Sequence, residues 1–382
     1  MVVAPELLNG YTIDWFLAAL VLFIIVFALA ISGISVSAVV LGIALVLEVV
    51  LVFVFAVSVA IQDGLSFEAF SPQIVFGGSL WIGLLLAATA FIGFEATALF
   101  GEEAKDPRKT IPRATYTAII VIGLMHAFAA WAIVSSLGLN GAQQTALDRL
   151  DAGDLTLQLI DKHLGGLMLI IMLVLVVVSL FAAQLAFHNS AGRYLYALGR
   201  ARVLPYWLAK TNSKGSPQRA LFVNFVFALI VAGIFRITFP NQPSIETLVP
   251  VGLGFATLSI MIVQAIAAIS VVVYFRKKRD ARWWSTFVAP GLGFLALLVF
   301  SAMAVVNFPI VAGSDATYVV VLPWILVVAV VGGIIYSRVL KTTKPQVYAG
   351  LSEDLEKFDS AYGSQENNMS RTETEQEPAS FP

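Results

Sequence analysis

No cysteine occurs anywhere in the chain, which excludes disulfides, thiolate metal sites and cysteine nucleophiles together. Charge is scarce as well. Asp, Glu, Lys and Arg make up 12% of the 382 residues, against about 25% in a soluble domain, too few to cover a water-soluble particle of this length. The charges that exist nearly cancel, 23 basic against 24 acidic, so no basic field for nucleic acid is expected. The three histidines, His126, His163 and His188, are scattered without metal-ligand spacing and read as structural side chains. No nucleophile elbow, HExxH, phosphate loop or paired intramembrane aspartates appear, so neither an enzyme nor a bound metal or cofactor is expected. No basic residue precedes the first apolar run, and that run is longer than a signal-peptide core, so no cleavable leader is expected.

What the chain has in abundance is apolar length. Hydrophobic residues are 59% of the sequence, and the mean hydropathy is +0.88. Roughly 20 apolar residues cross a hydrocarbon core as a helix. Nine such stretches occur, near 15–33, 36–61, 78–100, 115–137, 166–190, 219–238, 247–275, 286–308 and 317–338. Lipid leaves no unpaired backbone group solvated, so spanning segments are helices or closed barrels. These runs are too long and unalternating for barrel strands, which gives an all-α polytopic membrane protein of about nine spans over residues 1–340. From 341 to 382 the composition turns to Ser, Glu, Gln, Asn and Thr, the pattern of a disordered polar tail.

Loop cations set the expected orientation. Lys105, Arg108, Lys109 and Arg113 follow the third stretch; six cations from Arg193 to Arg219 follow the fifth; RKKRDAR, 276–282, follows the seventh; Arg338, Lys341 and Lys344 follow the ninth. The alternate loops hold only Arg149, Lys162 and Arg236. The first set is therefore expected in the cytoplasm with the C-terminus, and the N-terminus of this chain outside. The membrane expected is the plasma (inner) membrane. Trp15, Trp81, Trp283 and Trp324 stand near span ends, as interfacial aromatics do.

Two acids lie inside apolar stretches, Glu48 and Glu95. A mid-membrane carboxyl is costly unless protonated, paired or facing water, which makes each a functional candidate. Each also has a plain packing reading, an interhelical hydrogen bond. Gly93 sits between Phe91–Ile92 and Phe94–Glu95. Glycine commonly lets membrane helices pack closely, but bulky aromatic neighbours suit an unwound turn better. Transporters use such breaks to bind the charged ends of small substrates.

From Phe91 to Ala114 the sequence FIGFEATALFGEEAKDPRKTIPRA resembles the amino acid–polyamine–organocation permeases. That family carries F-x-G-F-[ED] in its sixth helix, then a loop like E-E-x-x-x-P-[RK]-[RK]-x-I-P-R-A. Residues 187–220, FHNSAGRYLYALGRARVLPYWLAKTNSKGSPQRA, resemble the family's loop after its eighth helix. The resemblance implies a five-plus-five inverted-repeat fold, with the nine stretches as family helices four to twelve and the first repeat incomplete. It implies a secondary active transporter of amino acids or related amines working by alternating access, by proton coupling or exchange. The alternative reading is a truncated, transport-incompetent fragment that acts only by assembling with other helices.

By the same resemblance Ala90, Phe91, Ile92, Gly93 and Phe94 form the substrate-binding break and Glu95 braces it. Glu102, Glu103, Arg108 and Arg113 belong to a cytoplasmic loop that reads either as solvated topology charge or as a gate of ion pairs. In that loop Pro107 stops the preceding helix and Pro112 suits the first turn of the next. Some proton-coupled members place a lysine eleven residues after the serine of a Ser-Ala pair. Counting from Ser37-Ala38 reaches Glu48, of opposite charge, so the lysine mechanism does not carry over. Glu48 is instead a candidate to titrate as the proton-coupling group. The partners expected are the amino acid or amine substrate, protons and the lipid bilayer.

Overall fold

The computed structural model of the chain describes residues 14–99, 101, 104–149 and 153–351. Among them every regular element is helical. The nine apolar stretches become α1 (Trp15–Ile31), α2 (Ile34–Gln62), α3 (Leu80–Thr89), α4 (Pro107–Leu137), α5 (Gly166–Arg200), α6 (Gln218–Thr238), α7 (Leu248–Lys277), α8 (Ala289–Val306) and α9 (Leu322–Thr343). Seven of these segments are long and apolar enough to cross a membrane; α1 and α3 are shorter apolar helices. The protein is an all-α polytopic membrane protein.

Outward faces of these helices are greasy. On α2 Ile43, Val46 and Val50 are exposed, and on α9 Val328, Val331 and Ile335. Removing one such side chain from water is worth about 1.5–3 kcal/mol, and in this protein the bilayer does it. Among the described residues the buried interior is mostly alanine and aliphatic side chains, with Phe55 and Phe308 among them.

Contacts divide the chain into two compact units. The first comprises the described residues of 14–20, 38–183 and 232–326. Its core joins Leu85 of α3, Leu258 and Met261 of α7, Ala304 of α8, and Phe308 and Ala312 of the short helix Phe308–Ala312. Gly254 lets α7 approach that short helix: a Cβ there would lie 2.8 Å from Ala312 Cβ and 2.9 Å from Phe308. A satellite core packs Phe55, Ala56 and Val59 of α2 against Ala132 of α4 and Leu159 and Ile160 of the loop helix Leu155–Leu164.

The second unit comprises the described residues of 21–37, 184–231 and 327–351. Gly192 of α5 gives room to Leu221 of α6, 2.5 Å from where a Cβ would stand. The Asn212 amide donates to the Ile31 carbonyl at 2.9 Å and the Tyr336 hydroxyl to the Val203 carbonyl at 2.7 Å, tying loop 201–217 to the helices.

Three boundaries differ from expectation. α4 starts at Pro107, not near 115: the Thr110 N–H donates to the Asp106 carbonyl at 2.8 Å as the first helical bond, and Pro107 takes the first turn, where its missing N–H costs little. Pro112 is therefore inside the helix rather than in its first turn, where it supplies no N–H for the Arg108 carbonyl. α5 continues to Arg200, past the apolar stretch that announced it, as its last turns carry polar residues. Residues 341–343 complete α9 and Pro345–Gly350 forms another turn of helix, with Val347 buried against Leu340 and Val203. The remainder of the expected polar tail, 352–382, lies outside the described residues.

Candidate functional site

α3 is ten residues long, a rise of about 15 Å, or half of a hydrocarbon core of about 30 Å. It ends in the stretch singled out in the sequence. Ala90 closes it, Phe91–Glu95 are turns, and Ala96–Leu99 is a further short helix. Gly93 has φ +113°, a backbone position that side chains strain to adopt. Nothing lies within 4 Å of a Cβ built there. So the residue type is required by conformation rather than by crowding.

The last N–H groups before the break shift to i−3 acceptors, Phe91 to Ala88 at 3.2 Å and Ile92 to Thr89 at 3.2 Å. Beyond it the Ala96 N–H donates to the Gly93 carbonyl at 3.1 Å and Thr97 to Phe94 at 3.3 Å. Among the described residues no donor reaches the carbonyls of Ala90 and Ile92, and no acceptor reaches the N–H of Glu95. All of 90–95 is half-buried. Unpaired backbone at membrane depth persists where it lines a polar cavity.

Glu95 holds this geometry in place. Its Oε2 accepts the Gly93 N–H at 2.9 Å and the Gln264 amide of α7 at 3.1 Å. One carboxylate oxygen thus ties the turn to itself and to a neighbouring helix. Leu258, Met261 and Gln264 recur at helical spacing on α7, so the stripe that packs near Leu85 also delivers the amide. The Phe91 ring fits over Gly123 of α4, 3.5 Å from a Cβ there. After the break, the hydroxyls of Thr97 and Thr115 of α4 lie 2.6 Å apart. The expected break residues and Glu95 are thereby gathered in one place. Gln264, Gly123 and Thr115 join them without having been singled out. A lone glutamine in an apolar run was the signal available for Gln264.

The other expected residues are elsewhere. Glu48 is half-buried on α2, and no hydrogen-bond partner reaches its carboxyl among the described residues. Glu102 and Glu103 lie outside the described residues. Arg108 and Arg113 were expected in a loop but stand exposed on α4, since the helix begins at Pro107. The described ion pair there is Lys109 with Asp106, 3.4 Å and exposed, a weak interaction at such a surface.

A second polar cluster links the end of α2, α4 and the helix Leu155–Leu164. Asp63 accepts from Lys162 at 3.0 Å, and His163 Nε2 is 3.4 Å from the same oxygen and 2.7 Å from Ser136. Gln62 donates to the His163 carbonyl at 2.7 Å. The Lys162 hydrogen bond lowers the Asp63 pKa, and burial lowers that of His163. At the start of α1, Asp14 pairs with Arg236 at 2.8 Å, which lowers the Asp14 pKa.

Residues 2–332 match the amino acid permease family. The chain belongs to that family. Among curated relatives it is 27% identical over 174 residues to the branched-chain amino acid permease BcaP of Lactococcus lactis, covering 45% of this chain and 36% of the relative. It is 31% identical over 158 residues to uncharacterized transporters of Mycobacterium bovis and Mycobacterium tuberculosis, covering 39% of this chain and 34% of theirs. The matched part of this permease-family chain thus spans about a third of the length of those relatives. The family is one of transporters rather than enzymes.

Proposed function

We propose that this permease-family chain is a secondary active carrier of an amino acid with an apolar side chain, working by alternating access. The observation that carries the reading is the break at Gly93. It offers two carbonyls, Ala90 and Ile92, and one N–H, Glu95, with no partner among the described residues. A zwitterion has complementary needs: its ammonium donates to carbonyls and its carboxylate accepts from N–H groups, with half-helix dipoles adding to the attraction. Phe91, Ile92 and Phe94 are the side chains beside that backbone. Their apolar character, and the branched-chain substrate in the name of the Lactococcus relative, support an aliphatic side chain on the cargo.

In this reading Glu95 braces the break, an aromatic ring at Phe91 or Phe94 closes over the substrate, and Glu48 is the group that couples transport to protons. The C-terminus is cytoplasmic, the membrane is the plasma membrane, and the five-plus-five repeat expected from the family organises the helices. The charged segment 102–113 serves as the inner gate. The test is uptake of labelled leucine into proteoliposomes under an imposed pH gradient. Saturable uptake that follows the gradient, with the gradient dependence lost in Glu48→Gln, is the expected result. Ohmic current without saturable uptake contradicts the carrier reading, and Glu48→Gln behaving as wild type across pH contradicts the coupling role.

A further inference from the structure

Between Lys162 and Ile245 the sequence has no Asp or Glu, yet six cations lie from Arg193 to Arg219. Between that stretch and α1 the second unit forms a cavity of about 410 Å³ lined by Phe27, Trp207, Gln218, Arg219 and Phe222. Its walls are fixed. Phe27 and Phe222 meet edge to face at 6.1 Å, and the Asn212 amide holds the loop to Ile31, one helical turn beyond Phe27 on α1. Asn212 Oδ1 also accepts the N–H groups of Lys214 and Ser216, at 2.9 and 3.0 Å, which shapes the turn leading into α6.

Arg219 stands in the first turn of α6, its guanidinium 5.3 Å from the centre of the Trp207 ring. No carboxylate pairs with it among the described residues. Lys210 and Lys214 on the same loop are exposed. Trp207 is 45% and Phe222 48% exposed, so the cavity opens outward along a membrane helix.

We propose that this cavity binds an anionic phospholipid, with the headgroup phosphate on Arg219 and an acyl chain along Phe27 and Phe222. A phosphate diester supplies the missing negative charge, and planar guanidinium suits it. The aromatic walls call for a hydrocarbon, which a free phosphate lacks. Trp207 sits where an amphipathic ring belongs at the interface, and the acid-free loop raises the local concentration of anionic headgroups. Under the orientation expected from the loop cations, the lipid belongs to the cytoplasmic leaflet.

The full chain in nanodiscs tests this through tryptophan fluorescence, with Trp207→Phe subtracted as background. Phosphatidylglycerol brominated on its acyl chains is compared with brominated phosphatidylcholine at equal mole fraction. The Trp207 signal is expected to be quenched at least about twofold more by the anionic lipid. Arg219→Gln should erase the preference and Arg219→Lys should keep it, both with unchanged helical circular dichroism. Equal quenching by the two lipids in the wild type overturns the proposal, as does a preference that survives Arg219→Gln. Loss of the preference on adding soluble glycerol phosphate marks a site for free anions and also overturns it. Leucine uptake plays no part in this readout, so its failure and that of the carrier reading are separable.

Discussion

Gly254 and Gly93 both stand in apolar helical sequence in the first unit, and the structure uses them for opposite ends. At Gly254 the backbone is helical and the neighbours are close: Ala312 Cβ would be 2.8 Å from an added Cβ. At Gly93 the neighbours are distant and the backbone is unusual, with φ +113° and open space where a Cβ would go. One glycine exists to bring helices together, the other to end a helix inside the membrane. Crowding and conformation are separable causes, and separable substitutions follow.

The largest effect is expected at the break. Gly93→Leu should abolish leucine binding, measured by equilibrium binding to purified protein, while leaving expression and helical content intact. Retained binding removes the unwound site from the account. Glu95→Ala should come next. It leaves the Gly93 N–H without its acceptor, a loss of about 1–3 kcal/mol, or roughly 5- to 150-fold in binding. Gln264→Leu removes one hydrogen bond to the same carboxylate, about 1 kcal/mol, and should weaken binding less than Glu95→Ala.

Gly254→Ala should invert the pattern. Overpacking costs about 1–3 kcal/mol, so the melting temperature falls while leucine affinity of the folded protein stays at the wild-type value. An affinity loss as large as that of Gly93→Leu would erase the distinction between the two glycines.

The smallest effect is a pH dependence of stability away from both glycines. His163 has its pKa lowered by burial from the ordinary 6.5, so the unfolded chain binds the proton more readily than the folded one. Stability is then full above about pH 6.5 and declines as pH falls from there toward the folded value. Asp63, also lowered, from 3.8, contributes stability that is lost only at lower pH, as that carboxylate protonates. Thermal melts between pH 7 and 5 should show the decline in the wild type and a flatter profile in His163→Gln. Identical slopes in the two proteins would mean that another group titrates.

Helix existence was legible because lipid demands long apolar runs, and all nine stretches became helices. The break was legible because Phe-Ile-Gly-Phe-Glu places a glycine among rings and a carboxyl in the midst of an apolar stretch. The start of α4 was not. Its first turns, PRKTIPRA, are polar and rise out of the apolar run, and hydropathy marks lipid depth rather than helix length. Gln264 escaped for a different reason: its role exists only once α7 packs against the break, where it meets Glu95, 169 residues away in sequence. The packing glycines are likewise a tertiary fact, since nothing near Gly254 in sequence names Ala312.

The claim at the centre is that the backbone of the break, not a side chain, takes the charged ends of the substrate. Carbonyl carbon-13 labels at Ala90, Ile92 and, as a control within α7, Leu258 test it by solid-state nuclear magnetic resonance with and without saturating leucine. The Ala90 and Ile92 carbonyl signals should move on leucine addition while that of Leu258 does not. Signals at Ala90 and Ile92 that stay still while leucine is bound would contradict it.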